Sequence, residues 1–287
     1  MALISRFDPW CSSLCTCPPK ETFNPYTGCD HSCVYCYASS YIPHFSDCRP
    51  KKDLLGKLER EAAKLKGEIV SLSNSSDPYP RIEAEAGLTR KCLKILSKCN
   101  CRIQIVTKSS LVSRDIDVLS TIPCMVTLTV TTDSEKTANL IEPNAPSPNE
   151  RLKTFEDLAK KAIPSSVRID PIIPFVNENP EKLVAAVASI GVKHLTASTY
   201  KAKPDNWSRL AIAMPEVAEK LEPLYFDQGE RSGRYLLLQR DLRFKILKKI
   251  RGLAIKNGMK FGVCRENFPE LNTGSCDGSW LIPSIWR

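Results

Sequence analysis

Nine consecutive residues, Cys29-Asp-His-Ser-Cys33-Val-Tyr35-Cys36-Tyr37, hold three thiols separated by three and then two residues. Thiolates at this spacing reach three corners of a [4Fe–4S] cube and leave the fourth iron without a protein ligand. A ferredoxin run supplies a full set of cysteines and closes its clusters, whereas an open iron is a place where a reaction can occur. The competing reading is a zinc knuckle on Cys29, Cys33, Cys36 and either Cys48 or His31. Structural zinc prefers two closely spaced ligand pairs, and only Cys33 and Cys36 form one.

The remaining composition suits an enzyme working among reduced thiols. With 287 residues, 42% of them hydrophobic, the chain can bury a sizeable core. No apolar run approaches the roughly 18 residues of a membrane span, and the first ten residues lack the apolar stretch of an export signal. Thirteen cysteines would suit a secreted disulfide scaffold, but the chain's size, the lack of an export signal and a cluster motif that requires reduced thiolates fit a reducing, oxygen-poor cytoplasmic setting better. The excess of 41 basic over 32 acidic residues, +9 in all, suits a polyanionic partner such as nucleic acid.

Short β-rich runs alternate with longer amphipathic stretches. Strands are expected over Thr22–Pro25, Glu68–Ser73, Arg102–Thr107, Met125–Thr131, Val167–Ile172 and Lys193–Thr199, each followed by room for a crossover helix. Asp53–Lys66 and Glu150–Ala162 align their apolar residues on one helical face. Repeated strand–helix units imply an α/β fold with a parallel sheet and loops gathered at its C-terminal edge. Beyond residue 200 the alternation breaks. Trp207–Leu224 and Gln239–Asn257 read as helices, Lys260–Val263 as a last short strand, and the tail is expected to close the open side of the sheet. The expected division is an extension over 1–21, a core over 22–200 and a helical C-terminal extension over 201–287, in one compact domain.

The pattern C-x-x-x-C-x-x-C, with an aromatic before its last cysteine, resembles the radical S-adenosylmethionine (SAM) superfamily. The six strand–helix units match the partial (β/α)6 TIM-like barrel of those enzymes, with the cysteine loop after the first strand. The resemblance implies that the open iron chelates SAM, that Tyr35 packs on its adenine, and that a donor such as flavodoxin or ferredoxin supplies the electron. The motifs Asn24-Pro-Tyr-Thr-Gly-Cys29, Ser76-Asp77-Pro-Tyr-Pro80 and Thr107-Lys108 narrow the likeness to the spore photoproduct lyase-like branch. There Lys108 would lie near the SAM carboxylate, Thr129 would offer a hydroxyl, and Glu142 and Arg151, in Glu142-Pro-Asn-Ala-Pro and the following Arg, would approach the methionine or ribose. Asp77 would face the same site from a strand end, or alternatively cap a Pro-fixed turn. Thr127 shares a strand face with Thr129, and Arg168 with Asp170. Gly28 would let the backbone turn before the first ligand.

The branch's hydrogen-donating cysteine is replaced here by Asn74, so the likeness carries the fold and the SAM chemistry further than the substrate. Cys264, just past a strand end, and Cys276 are the thiols expected to substitute as catalytic residues. Cys11, Cys15, Cys17, Cys264 and Cys276 are also candidates for a second iron–sulfur or zinc site that would bring the chain ends together; free packing thiols are the alternative. The expected activity is reductive SAM cleavage and hydrogen abstraction from nucleic acid, of lyase or transferase type. A peptide or small-metabolite substrate is the alternative, and a non-catalytic metal-binding nucleic-acid adaptor the third reading.

Overall fold

The computed structural model describes residues 2–7, 13–72 and 75–284. Strand β1 (Ser5–Arg6) runs antiparallel to β2 (Glu21–Phe23), and a second antiparallel pair, β3 (Tyr26–Thr27) with β4 (Arg49–Pro50), brackets the cysteine loop. Strands and helices then alternate as α1 (Leu54–Ala62), β5 (Ile69–Leu72), α2 (Glu83–Ala86), α3 (Leu88–Leu96), β6 (Arg102–Thr107), α4 (Ile116–Leu119), β7 (Cys124–Thr129), α5 (Glu135–Ile141), α6 (Pro148–Lys160), β8 (Ser165–Ile172), α7 (Glu181–Ile190) and β9 (His194–Thr199). The C-terminal part holds α8 (Pro204–Ala213), α9 (Pro215–Glu222), the hairpin β10 (Glu230–Ser232) and β11 (Tyr235–Leu237), α10 (Arg240–Lys256) and β12 (Lys260–Val263).

One sheet orders β1-β2-β5-β6-β7-β8-β9-β12, with every pair after the first parallel. All six expected strands are present within a few residues of their expected ends. The last strand, expected only as a short piece of the extension, pairs with β9 and adds a seventh parallel strand. The expected single helix Trp207–Leu224 is divided. Pro215 has no N–H to donate and forces Met214 out of helical geometry, to φ −143° and ψ 66°.

The alternation of each strand separates the two faces. Ile103 and Ile105, Val126 and Leu128, Val167 and Ile169, Leu195 and Ala197 lie in the apolar core, while Gln104, Thr127 and Thr196 between them, and Ser166 just before Val167, are buried and polar. These polar residues are satisfied within the barrel: Thr127 bonds Ser166 across the strands at 2.8 Å, Gln104 donates to the Asp277 carbonyl at 3.0 Å, and Thr196 to the Cys276 carbonyl at 2.9 Å. The tail thus fills the interior from the N-terminal ends of the strands, where Gly278 meets His194 and Met125. A buried ion pair between Lys20, just before β2, and Asp277 ties the two ends of the chain together.

Candidate active site

The cysteine loop leaves the C-terminal end of β2 through Gly28, whose φ of +84° favours glycine and whose missing Cβ would come 2.5 Å from the Phe45 carbonyl oxygen. The loop is anchored at many points. Cys29 N–H donates to Phe45 at 2.8 Å, Val34 N–H to Ile141 at 3.0 Å and Cys36 N–H to Cys33 at 3.1 Å. Asn144 donates to the Asp30 carbonyl and to Ser32 Oγ, both at 3.0 Å. Burial raises the affinity of all three thiols for their protons, Cys33 being pushed up to about 12; ligation by a metal would displace those protons. Among the described residues, no three His, Cys, Asp or Glu side chains are gathered as a single metal ion would need.

Beside the loop lies a charged network with little access to water. Glu142, just past the end of α5, and Arg151, in the first turn of α6, pair at 2.6 Å with both side chains 1% exposed. The α6 start explains the placement, since Ser147 and Glu150 form a reciprocal capping box with Pro148 between them. Glu142 Oε1 also accepts hydrogen bonds from Tyr35 and, at 2.6 Å, from Thr131. Burial works against its ionised form, but Arg151 and Lys108 outweigh it and hold the carboxyl below its ordinary range. The Lys108 ammonium lies 5.5 Å from the Tyr35 ring centre. Burial opposes its charge too, yet Cys33 and Glu142 keep it protonated.

The expected SAM-site residues therefore come together in part. Tyr35, Lys108, Glu142 and Arg151 form one group. Thr129 belongs through its carbonyl, which accepts from Arg151 Nη1 at 3.0 Å, and Thr127 is used by Ser166. Asp77 offers no free carboxylate. Its Oδ1 accepts from Thr107 Oγ1 at 2.6 Å and Tyr79 N–H at 2.9 Å, its Oδ2 from Lys108 N–H at 2.8 Å, and His31 Nδ1 stands 3.6 Å away. It accordingly orients Lys108 and closes the Asp-Pro turn.

The other cysteines do not form one set. Cys264 follows β12 and bonds through its thiol to Arg168, which also pairs with Asp170. Cys276 packs over Gly262, one pleat repeat before Cys264, and its Sγ is 3.3 Å from that of Cys17, with Cys15 accepting from Cys17 N–H at 3.5 Å. The chain ends meet as expected, but through thiols and Lys20–Asp277, and the five-cysteine second metal site is not assembled among the described residues. Cys11 and the donor position Asn74 lie outside those residues.

The sequence reading missed two groups. Arg209 and Asn206 of α8 bond the carbonyls of Val34, Tyr35 and Cys36, a relation across some 170 residues with no local signal. Around Tyr37 and Tyr41, stacked at 6.2 Å, stand Lys203, 4.4 Å from the Tyr235 ring centre, and Arg265, 5.1 Å from the same ring.

The residues present fit a cluster and a zwitterionic ligand. Three thiols share one anchored loop, and beside them Arg151 Nη2 is buried without a hydrogen-bond partner, which a native interior rarely tolerates unless something else binds there.

Comparison with known proteins agrees. Residues 23–188 match the radical SAM superfamily. An uncharacterized protein of Mycobacterium tuberculosis is 26% identical over 247 residues, spanning 76% of this chain and 69% of the relative. Among solved structures, spore photoproduct lyase complexed with dinucleoside spore photoproduct superposes with a TM-score of 0.63 at 16% identity, covering 83% of this chain and 74% of the other. Streptococcus suis SuiB bound to S-adenosylmethionine gives 0.58 at 14%, covering 92% and 55%. These two likenesses are of fold, and the family match spans more than half of the chain. The protein belongs to the radical SAM superfamily and is an enzyme of that superfamily.

Proposed function

We propose that this enzyme cleaves SAM reductively at a cluster on Cys29, Cys33 and Cys36 and uses the radical to modify or repair nucleic acid. The observation carrying the proposal is the buried Glu142–Arg151 pair, with the half-buried Lys108 beside it, set against the cysteine loop with one guanidinium nitrogen still unpartnered. Held by Cys29, Cys33 and Cys36, a cluster would supply the electron for reductive cleavage of SAM, and SAM the radical chemistry that takes a hydrogen atom from the substrate. Lys108 and the unpartnered Nη2 of Arg151 would pair with the carboxylate of SAM, in charge-assisted hydrogen bonds. Asp77 holds Lys108 by its backbone, Tyr35 presents its ring to the adenine, and Thr129 and Glu142 complete the wall. Burial of the group keeps water from the reactive carbon.

The nucleic-acid reading is supported by the +9 charge and by the rim of Tyr37, Tyr41, Tyr235, Lys203 and Arg265. Aromatic faces stack on unpaired bases, and basic groups track the backbone phosphates. Cys264, just past β12 and beside Arg168, is the thiol we assign to return a hydrogen atom to a substrate radical. An electron carrier such as flavodoxin or ferredoxin and a reducing cytoplasm complete the reading. Among the described residues no helix is long and apolar enough to cross a membrane.

The test is anaerobic incubation with SAM, reductant and fractionated nucleic acid, reading 5′-deoxyadenosine and the masses of the nucleosides. A new or lost nucleoside mass that depends on SAM is expected. SAM cleavage with no nucleoside change in any fraction would overturn the substrate class.

A further inference from the structure

Helix α8 lies beyond residue 188, where the family match ends, yet it grips the part of the chain that carries the third cluster ligand. Arg209 Nε donates to the Val34 carbonyl at 3.1 Å, and its Nη2 to the Cys36 carbonyl at 2.7 Å and Ser39 Oγ at 2.9 Å. Asn206 Nδ2 donates to the Tyr35 carbonyl at 3.2 Å. Three successive carbonyls, of residues 34, 35 and 36, are thus held by side chains from one helical turn. Asn206 is itself fixed, its Oδ1 accepting from Tyr200 at 2.7 Å and from Lys203 N–H at 2.8 Å.

The grip brings two opposite charges to the cluster loop. Asp205, four residues before Arg209 and so on the same helical face, takes Arg209 Nη1 at 3.3 Å and Ser39 Oγ at 2.8 Å on Oδ2, while its Oδ1 is buried without a hydrogen-bond partner. The Arg209 guanidinium sits directly on the backbone of the ligand residue Cys36, 2.7 Å from its carbonyl oxygen. Cluster potentials follow net charge and hydrogen bonding around the sulfurs, and partners one shell out from the ligands carry much of that control. A cation next to Cys36 stabilises the reduced, more negative cluster, and an anion there opposes it.

We infer that Arg209 and Asp205 are positioning residues that set, with opposite signs, the reduction potential of the cluster carried by Cys29, Cys33 and Cys36. Conventional loop support would make both residues stabilising and neither specific to the redox state. Opposed control makes the extension beyond the family match part of the electron-accepting machinery. The inference rests on the cluster assignment and is independent of which substrate is used.

The experiment is an EPR-monitored potentiometric titration of the reconstituted protein without SAM, with iron content and the melting temperature of the apo-protein measured in parallel. Arg209→Gln should lower the ratio of reduced to oxidised cluster at fixed poise about tenfold, a shift of about 59 mV to the negative side for one electron. Asp205→Asn should shift the potential the other way. Arg209→Lys, which keeps the charge and loses the fork of hydrogen bonds, should stay near the parent potential. If Arg209→Gln holds no iron, the sign of the Asp205→Asn shift decides alone. Unchanged potentials, or shifts of the same sign in Arg209→Gln and Asp205→Asn, overturn the inference. A parent protein that assembles no cluster overturns the cluster assignment with it.

Discussion

Glu142 and Arg151, 2.6 Å apart, are among the most deeply buried charged side chains of the described structure, and Lys108 stands close enough to act on both. Removing one member of such a pair leaves an uncompensated charge in the interior, at a cost of about 3–5 kcal/mol. Glu142→Gln should therefore lower the denaturant midpoint of the apo-protein substantially and weaken SAM binding by about tenfold or more, roughly 1.4 kcal/mol. Denaturation and calorimetric SAM titration check the two effects separately. Wild-type stability in the variant would mean that the pair is far more hydrated than its burial implies.

Acid should act through Asp277. Burial opposes its ionised form, but Lys20 outweighs burial and lowers its pKa from 3.8 to about 2. A depressed folded-state value contributes stability that is present above pH ~4 and is lost as pH falls from there toward 2, worth about 2 kcal/mol for this shift. In Asp277→Asn this part of the acid limb should disappear, together with a general loss of stability from the stranded Lys20 ammonium. The check is urea unfolding at a series of pH values from 2 to 6.

Metal content should depend on three cysteines only. Alanine at Cys29, Cys33 and Cys36 together should abolish 5′-deoxyadenosine formation and the iron of the reconstituted protein. Alanine at Cys15, Cys17 and Cys276 should leave about four irons and no zinc per chain. Elemental analysis decides it, and a fall in iron or zinc in the second variant would restore a second metal site.

Repair of the spore photoproduct dinucleotide should be weak or absent, because the donor position of the related lyases is Asn74 here, and amide N–H bonds are too strong to give up hydrogen readily. Cys264→Ala should retain SAM cleavage while losing product formation on the true substrate. Efficient dinucleotide repair that survives in a Cys264→Ala, Cys276→Ala double variant would show that hydrogen comes from neither thiol.

The sheet was legible in the sequence because period-two alternation is a local signal. Arg102–Thr107 and Lys260–Val263 were read to the residue, and the other strands shifted by one or two residues at an end. The cysteine spacing likewise carried its own chemistry. What escaped were relations between distant residues. A Glu and an Arg nine positions apart look the same in sequence whether they face water or, as Glu142 and Arg151 do, an interior. Asp77 carried either a ligand or a turn reading, and only its three backbone and hydroxyl donors resolved which. Met214-Pro215 was the one local signal overlooked, since the apolar spacing continues across the break that proline imposes.

The Lys20–Asp277 tie has a consequence for synthesis. A ribosome delivers this chain from its N-terminus, so the three cluster cysteines emerge early, while their clamp on α8 and the tail that plugs the strands emerge last. Until residues 275–282 have been released, Gln104 and Thr196 on the inner face lack their partners, the carbonyls of Asp277 and Cys276. Domains generally fold as units during translation; this one must wait for nearly its whole length. The loop that carries the three cysteines therefore emerges well before the α8 side chains that hold its carbonyls and the residues that fill the strands' inner face.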